Sequence, residues 1–357
     1  MDIELGLTRE EILNRIHEIF QAFLSDLANG EFTKFYTLKR STSAMMFDNQ
    51  TNTIVHGGDT KFIQMTLSGA RKYTGMWLVL QIAQQLLLQD KTITQRELYY
   101  INPFFSNQQE ADECILDVAG LLCVPRECLN IVGAVKGYFN GCITYQERSG
   151  QWTDCRLDGP TGRPITQDIL RLRDDQITSD AQYIIVIEKD GIFNRLGEDQ
   201  FFHNIPSILV TGRGFPDLAT RVFVKKLSER FQIPVLCLCD CNPFGLSILL
   251  SYKFGSARMP IDSICYAVDA KWIGLRPLEA MLLELPDVAK KPFSKHDKSR
   301  LQWLLQHPYL KIDSAYHAEV EHWTQYAYKI ELEALHTKGF GYITQYLKDQ
   351  VLSHNYI

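Results

Sequence analysis

Residues 8–27 carry Ile12, Ile16, Ile19, Phe20 and Phe23 at helical spacing, and Thr8 with Glu11 three positions on supplies a capping box, so the chain opens on an amphipathic helix. From residue 29 to 75 the periodicity lapses into a polar, glycine-containing stretch with hints of short strands at Ile54-Val55 and over 62–67. We expect residues 1–75 to form an N-terminal helix and packing extension. Helical spacing returns at Trp77. Leu78, Ile82 and Leu86 mark one helix, Thr94 with Glu97 caps a short second, and Ala111, Cys114, Ile115, Val118, Leu121 and Leu122 mark a third. Pro125 is placed to start a recognition helix, and 129–135 and 138–146 read as two strands around Lys136-Gly137. Helices followed by a two-stranded wing predict a winged-helix domain over 76–157, with Lys136 on the wing as a phosphate contact.

Asp158-Gly159-Pro160-Thr161-Gly162-Arg163-Pro164 is the densest group of structure breakers and is read as a domain boundary. Beyond it the pattern alternates: strand at 183–187, helix at 190–196, strand at 207–210, helix at 218–231, strand at 234–238. Alternation of this kind predicts a parallel sheet with helices on its faces, and helical patterns at 295–305 and 317–335 predict a helical C-terminal tail to this 165–357 domain. The expected fold class is α/β within a multidomain α+β chain.

Composition narrows the class. At 357 residues the chain exceeds a usual single core, and 45% hydrophobic with 22% charged residues is a soluble globular balance. It has no run of eighteen apolar residues, and it starts on acidic Met1-Asp2-Ile3-Glu4; no membrane span or secretory signal is expected, and the chain is read as intracellular. Nine cysteines without paired spacing are read as buried thiols; Cys237, Cys239 and Cys241 alternate along a strand and make a poor zinc site. A net charge of −5 argues against DNA binding by bulk electrostatics, so a DNA-binding reading needs a local basic groove, for which Arg96, Lys136, Arg213, Arg221, Lys225 and Lys226 are candidates.

The candidate chemistry sits in three places. Arg96-Glu97-Leu98-Tyr99-Tyr100 sets a guanidinium beside two phenols; a phenol with a pKa of about 10 attacks phosphorus only when a cation or base favours its phenolate, although such a pair also suits the rim of a core. Glu188 and Asp240 each end a predicted strand, where carboxylates converge on one crevice and suit magnesium. Asn242, two residues past Asp240, shares its face and can offer an amide oxygen. Between them Thr211-Gly212-Arg213-Gly214-Phe215-Pro216-Asp217 can bring backbone close to a phosphate, and Phe215 either packs in a minor groove or folds into the core.

In order, the tyrosine motif, Tyr183-Ile184-Ile185-Val186-Ile187-Glu188-Lys189-Asp190, Val210-Thr211-Gly212-Arg213-Gly214-Phe215-Pro216-Asp217 and Leu238-Cys239-Asp240-Cys241-Asn242-Pro243-Phe244-Gly245 resemble the meiotic DNA double-strand-break transesterase family, homologous to the topoisomerase VI A subunit. The resemblance runs from about Trp77 to about Leu347. It implies that the α/β domain is a Toprim domain, whose glutamate and Asp-x-Asp ligands read here as Glu188, Asp240 and Asn242, an amide in place of the second acid and hence weaker binding of Mg2+. It implies that Tyr100, rather than Tyr99, attacks a phosphodiester of double-stranded DNA to give a 5′-phosphotyrosyl link, with Arg96 assisting and Lys136, Arg213 and Phe215 on DNA. Further implications are a homodimer when both strands are cut, a topoisomerase VI B-like partner, other break-forming factors and a nuclear location. Lys290-Lys291 is too short for a localisation signal, and no phosphate-loop motif points to ATP. A topoisomerase that reseals what it cuts and a non-cutting DNA-binding scaffold are the alternative readings.

Overall fold

Thr8 and Thr94 each accept a hydrogen bond from the backbone three residues on, and Glu11 and Glu97 return one, so both expected capping boxes form and fix where helices begin. The structure is a computed structural model describing residues 7–41, 45–48, 53–256 and 258–357. The chain folds as two units, residues 1–134 with 255–265, and residues 135–254 with 266–357.

The first unit packs α1 (Arg9–Ala28), α2 (Ala70–Gln89), α3 (Gln95–Ile101) and α4 (Gln108–Leu122) around Ile12, Ile16, Met76, Val79, Leu98, Ile115 and Val118. An antiparallel ribbon of β1 (Phe35–Leu38) and β2 (Thr60–Ile63) lies against this bundle. Phe35 stacks on Tyr73 with ring centroids 4.8 Å apart. Buried Asp117 on α4 ties the ribbon down, pairing with Arg40 at 2.9 Å, Lys61 at 3.0 Å and Lys72 at 2.5 Å. A buried carboxylate needs such partners to remain charged. The expected break at residue 75 falls inside α2, so extension and helices share one core.

Two features of the expected winged helix are corrected. Arg126–Leu129 is one turn of 3-10 helix and not a recognition helix: Asn130 turns left-handed after it, and Arg126 lies 3.6 Å from buried Asp262. The two wing strands do not pair with each other. Ile131–Val132 runs parallel to Ile93–Thr94, whereas β3 (Tyr138–Gly141) belongs to the sheet of the second unit. Burial decides this. Phe139 has no exposed surface and its ring centroid lies 4.7 Å from that of Phe223, a gain an open hairpin does not offer.

In the second unit the strands β4 (Tyr183–Ile187), β5 (Ser207–Thr211), β6 (Val235–Leu238) and β7 (Ala270–Gly274) are parallel, in the order β5-β4-β6-β7. β3 runs antiparallel to β5, and Arg163–Pro164 extends that edge, so the breaker cluster at 158–164 is a turn inside this unit and not a boundary. Helices α5 (Asp190–Glu198), α6 (Leu218–Phe231) and α7 (Pro243–Lys253) connect the strands. Ile184 to Ile187 and Val235 to Leu238 are buried throughout, as strands covered on both faces must be. The tail departs from expectation at one place: the helix Ser314–Tyr326 stops at left-handed Ala327, and the chain continues extended through Tyr328–Lys329 instead of helically to residue 335. The nine cysteines are all free, and eight of them are buried.

His307 is buried under Phe254 and Trp303, its Nδ1 without a hydrogen-bond partner, and burial pushes its imidazole down to about 4. A folded pKa below the ordinary 6.5 means stability that is full above that pH and is lost as pH falls toward 4. His307→Phe should therefore shrink the stability loss between neutral pH and pH ~4.5 by about 2 kcal/mol. Urea denaturation at the two pH values checks this, and an unchanged loss would contradict it.

Candidate functional site

The candidate residues form two half-sites, one in each unit. In the first, Thr94 starts α3, and the helix carries Arg96 and Tyr100 four residues apart, on one face. The Arg96 guanidinium lies 5.8 Å from the centre of the Tyr100 ring. Tyr100 is 67% exposed, while Tyr99, its ring 5.2 Å away, packs against the core of the bundle. The adjacent tyrosines thus divide the two roles their sequence left open: Tyr99 is the aromatic at the core rim, and Tyr100 presents a free phenol beside a cation.

In the second half-site, β4 and β6 lie side by side, but the chain leaves β4 toward β5 on one side and β6 toward β7 on the other. Connections that diverge in this way open a crevice beyond the carboxyl ends of the strands. Glu188 directly follows β4, and Asp240 lies just beyond β6. The backbone N–H of Asp240 donates to Glu188 Oε2 at 2.8 Å, locking the two acids together. Asp240 is only 4% exposed; its Oδ1 accepts from the Leu332 N–H at 2.8 Å, and its Oδ2 lies 3.2 Å from Lys189 Nζ. Burial, with the charge of Asp240 beside it, pushes the Glu188 carboxyl up to about 7, and burial also raises Asp240. Burial works against the Lys189 ammonium as well, but the hydrogen bond to Glu333 and the charge of Asp240 outweigh it and hold that group charged.

Asn242 is placed as a helix cap. Its Oδ1 caps α7, accepting from Phe244 N–H at 2.9 Å and Gly245 N–H at 2.8 Å, so both lone pairs of that oxygen are engaged. Helix amides and a dication would compete for the same atom, which counts against Asn242 as the expected third ligand. Among the described residues no group of three or more His, Cys, Asp and Glu side chains is arranged around a metal position. Glu188 and Asp240 alone still suit a magnesium ion, which is commonly held through one or two carboxylates and keeps waters or phosphate oxygens elsewhere. Two buried acids pushed upward by burial and proximity are a donor pair that a hard cation relieves.

Of the remaining candidates, Lys136, Arg213 and Phe215 gather at the loop after β5, whereas Arg221 is buried on α6, Lys225 pairs with Glu229 at 3.0 Å and the Lys226 ammonium donates to the Leu170 carbonyl at 3.0 Å. Arg213 and Gly214 both take left-handed backbone after β5, and the Gly214 N–H donates to the Glu188 carbonyl at 2.9 Å. Arg213 donates to Asp190 at 2.9 Å and lies 4.0 Å from the Tyr138 ring centre. Phe215 is 44% exposed and not folded into the core. Lys136 reaches the same loop, its N–H donating to Asp217 at 2.7 Å and its ammonium to the Phe215 carbonyl at 3.4 Å. Lys136, Arg213 and Phe215 therefore cluster at one loop, which the Gly214 hydrogen bond ties to the backbone of Glu188. Sequence reasoning missed Lys189, Tyr138, Glu331 and Glu333. Lys189 was legible, adjoining Glu188 in its motif. Glu331 and Glu333 carried no signal, because they reach the crevice only through the chain reversal at Ala327 and the backbone pairing of Ile330 with Cys241.

Residues 183–351 match the family model for the Toprim domain of the topoisomerase 6 A subunit and Spo11, and residues 71–131 match that described as Type IIB DNA topoisomerase. The second half-site is thus the crevice of a Toprim domain, a metal-binding fold. The chain is 36% identical to Meiotic recombination protein SPO11-2 of Arabidopsis thaliana over 84% of its own length and 79% of that protein. It is 31% identical to Meiotic recombination protein SPO11 of Mus musculus, over 95% and 88% of the two chains. Identity to the DNA topoisomerase 6 A subunit from Arabidopsis thaliana is 33%, over 78% and 65%. The chain belongs to the Spo11/topoisomerase VI A-subunit family.

Two substitutions test the local geometry. A Cβ on Gly245 would stand 2.3 Å from the Asp240 carbonyl oxygen and 3.1 Å from Glu188 Oε2. Helix propensity alone favours Gly245→Ala by about 1 kcal/mol, but the backbone clash should dominate and destabilise by about 2 kcal/mol. Thermal denaturation showing a stabilised variant would refute the close packing. For the cap, Asn242→Ala should cost ~1 kcal/mol while Asn242→Asp holds stability without metal, since it keeps an acceptor at the helix start. Equal losses in chemical denaturation would mean that the cap contributes nothing.

Proposed function

We propose that this chain is the DNA-cutting protein of meiotic double-strand-break formation, acting through Tyr100. The observation that carries the reading is the exposed Tyr100 phenol under the Arg96 guanidinium, in a chain that also has the Glu188–Asp240 crevice of a Toprim domain. The meiotic assignment draws on relatives named as meiotic recombination proteins, matched over most of their length. Tyr100 Oη attacks a backbone phosphorus; the bond from phosphorus to the 3′ oxygen breaks; the phenolic proton is lost, and the leaving 3′ oxygen takes up a proton. The products are a 5′-phosphotyrosyl link and a free 3′-hydroxyl. Arg96 offers its positive charge to the charge that builds on the phosphate oxygens during attack.

Glu188 and Asp240 would hold the magnesium ion, which when bound supplies positive charge to neutralise phosphate and leaving oxygen. Lys136 and Arg213 offer cations to the DNA backbone, and Phe215 an exposed ring to a groove. One nucleophile per chain means that two copies cut a duplex. A topoisomerase VI B-like partner and other break-forming factors are expected to join it, and the nucleus is the expected location. Identity to a DNA topoisomerase 6 A subunit favours one further reading, in which the same transesterification runs backward and reseals the break.

Denaturing the assembled, DNA-bound protein and mapping any covalently attached peptide tests the chemistry. Tyr100→Phe should abolish the adduct and leave DNA binding within a few-fold, whereas Tyr99→Phe should retain it, with a stability change of about 1 kcal/mol or less. An adduct mapped to Tyr99 would reassign the nucleophile. No adduct under any assembled condition would favour a non-cutting scaffold.

A further inference from the structure

The oxygens of the Toprim crevice can be accounted for one by one. Glu188 Oε2 is held by the Asp240 N–H, and Asp240 Oδ1 by the Leu332 N–H. That leaves Asp240 Oδ2 and Glu188 Oε1 as the oxygens that no backbone N–H holds and that are freest to meet a cation, and the Lys189 ammonium already stands 3.2 Å from Asp240 Oδ2. The same ammonium lies 2.6 Å from Glu333 Oε2 and 3.5 Å from Glu331 Oε2, and Lys291 pairs with the other oxygen of Glu331 at 3.1 Å. Glu188, Asp240, Glu331 and Glu333 against Lys189 and Lys291 leave the cluster net negative. A dication can be accommodated in that balance, but only with the ammonium moved off the shared oxygen, because two cations repel at an oxygen as buried as that of Asp240.

We propose that Lys189 is a resident counter-cation that occupies the metal-facing oxygen of Asp240 and yields it to magnesium by withdrawing onto Glu333 and Glu331, thereby setting the magnesium concentration at which the site loads. The proposal rests on the reading of Glu188 and Asp240 as the metal pair. It gives Lys189 a positioning role, acting on the metal through Asp240. In this chain it also accounts for two extra acids at the rim: they hold the displaced ammonium close.

Magnesium titration of the DNA-free full chain by calorimetry, with thermal denaturation in parallel, tests it. Lys189→Met should bind magnesium on the order of tenfold more tightly, since one like charge leaves the ligand's immediate neighbour. Without metal the same variant should melt lower than the parent, because the acids lose their counter-charge, and magnesium should restore it. Lys189→Arg, which keeps the charge, should titrate close to the parent. A lysine with only a structural role would lower melting with and without metal and leave affinity unmoved or weaker; that result overturns the proposal. Should Lys189→Met fail to fold, Glu333→Gln serves in its place. It is expected to weaken magnesium binding several-fold, and unchanged affinity overturns the proposal. Glu188→Gln separates the two levels: if it leaves magnesium binding intact, or if the parent binds none, the metal pair itself is wrong and the role of Lys189 falls with it.

Discussion

Holding two carboxylates side by side out of water is the constraint around which the second unit is organised. Two like charges this close and this buried do not coexist without donors aimed at them, and each donor comes from a different part of the fold. Asp240's own amide serves Glu188, the Leu332 amide serves Asp240, and Lys189 supplies the charge. The side-by-side placement of β4 and β6 sets the two acids at one crevice. Gly245 then lets α7 start hard against them, where any side chain would wedge the acids apart. Sheet order, helix start and tail reversal are linked through one pair of acids.

The first unit meets a different demand, because Tyr100 stands exposed on a helix that must stay fixed. α3 is seven residues long, too short to be stable alone, and depends on its cap and on anchoring side chains. Leu98 and Tyr99 provide the anchor by packing into the bundle. Tyr100 and Arg96, on the opposite side, are free of that duty. A doubled tyrosine is thus a way to fix a helix with one ring and leave the next one available.

Much of this was legible in the sequence, for identifiable reasons. Thr8/Glu11 and Thr94/Glu97 are local signals, and local signals transferred directly into helix starts. The strand at 183–187 and the acid after it were legible because a fully apolar run must be a buried strand and a charge must end it. What failed were contacts over long separations. Residues 138–141 have the alternation of a wing strand, and only Phe223 and β5 reveal that they belong elsewhere. Val320, Trp323, Ile330 and Leu335 keep enough helical spacing to hide the reversal at Ala327. Asn242 reads as a ligand by its spacing from Asp240, yet Pro243 directly after it marks a helix start, and helix starts recruit asparagine oxygens.

The reversal at Ala327 also bears on how the protein is made. Sheet strands, both acids and the helix beginning at Pro243 are all synthesised before residue 275, but the amide that orients Asp240 and the carboxylates that hold Lys189 lie at 331–333. While the ribosome is still adding those residues, the residues of the sheet and of the tyrosine helix have all been joined, but the groups that complete the crevice have not. A chain that stops short of this segment keeps the sequence motifs of a DNA-cutting protein without the oriented acid pair. The orientation of the acid pair is completed late in translation, by a stretch with no recognisable motif of its own.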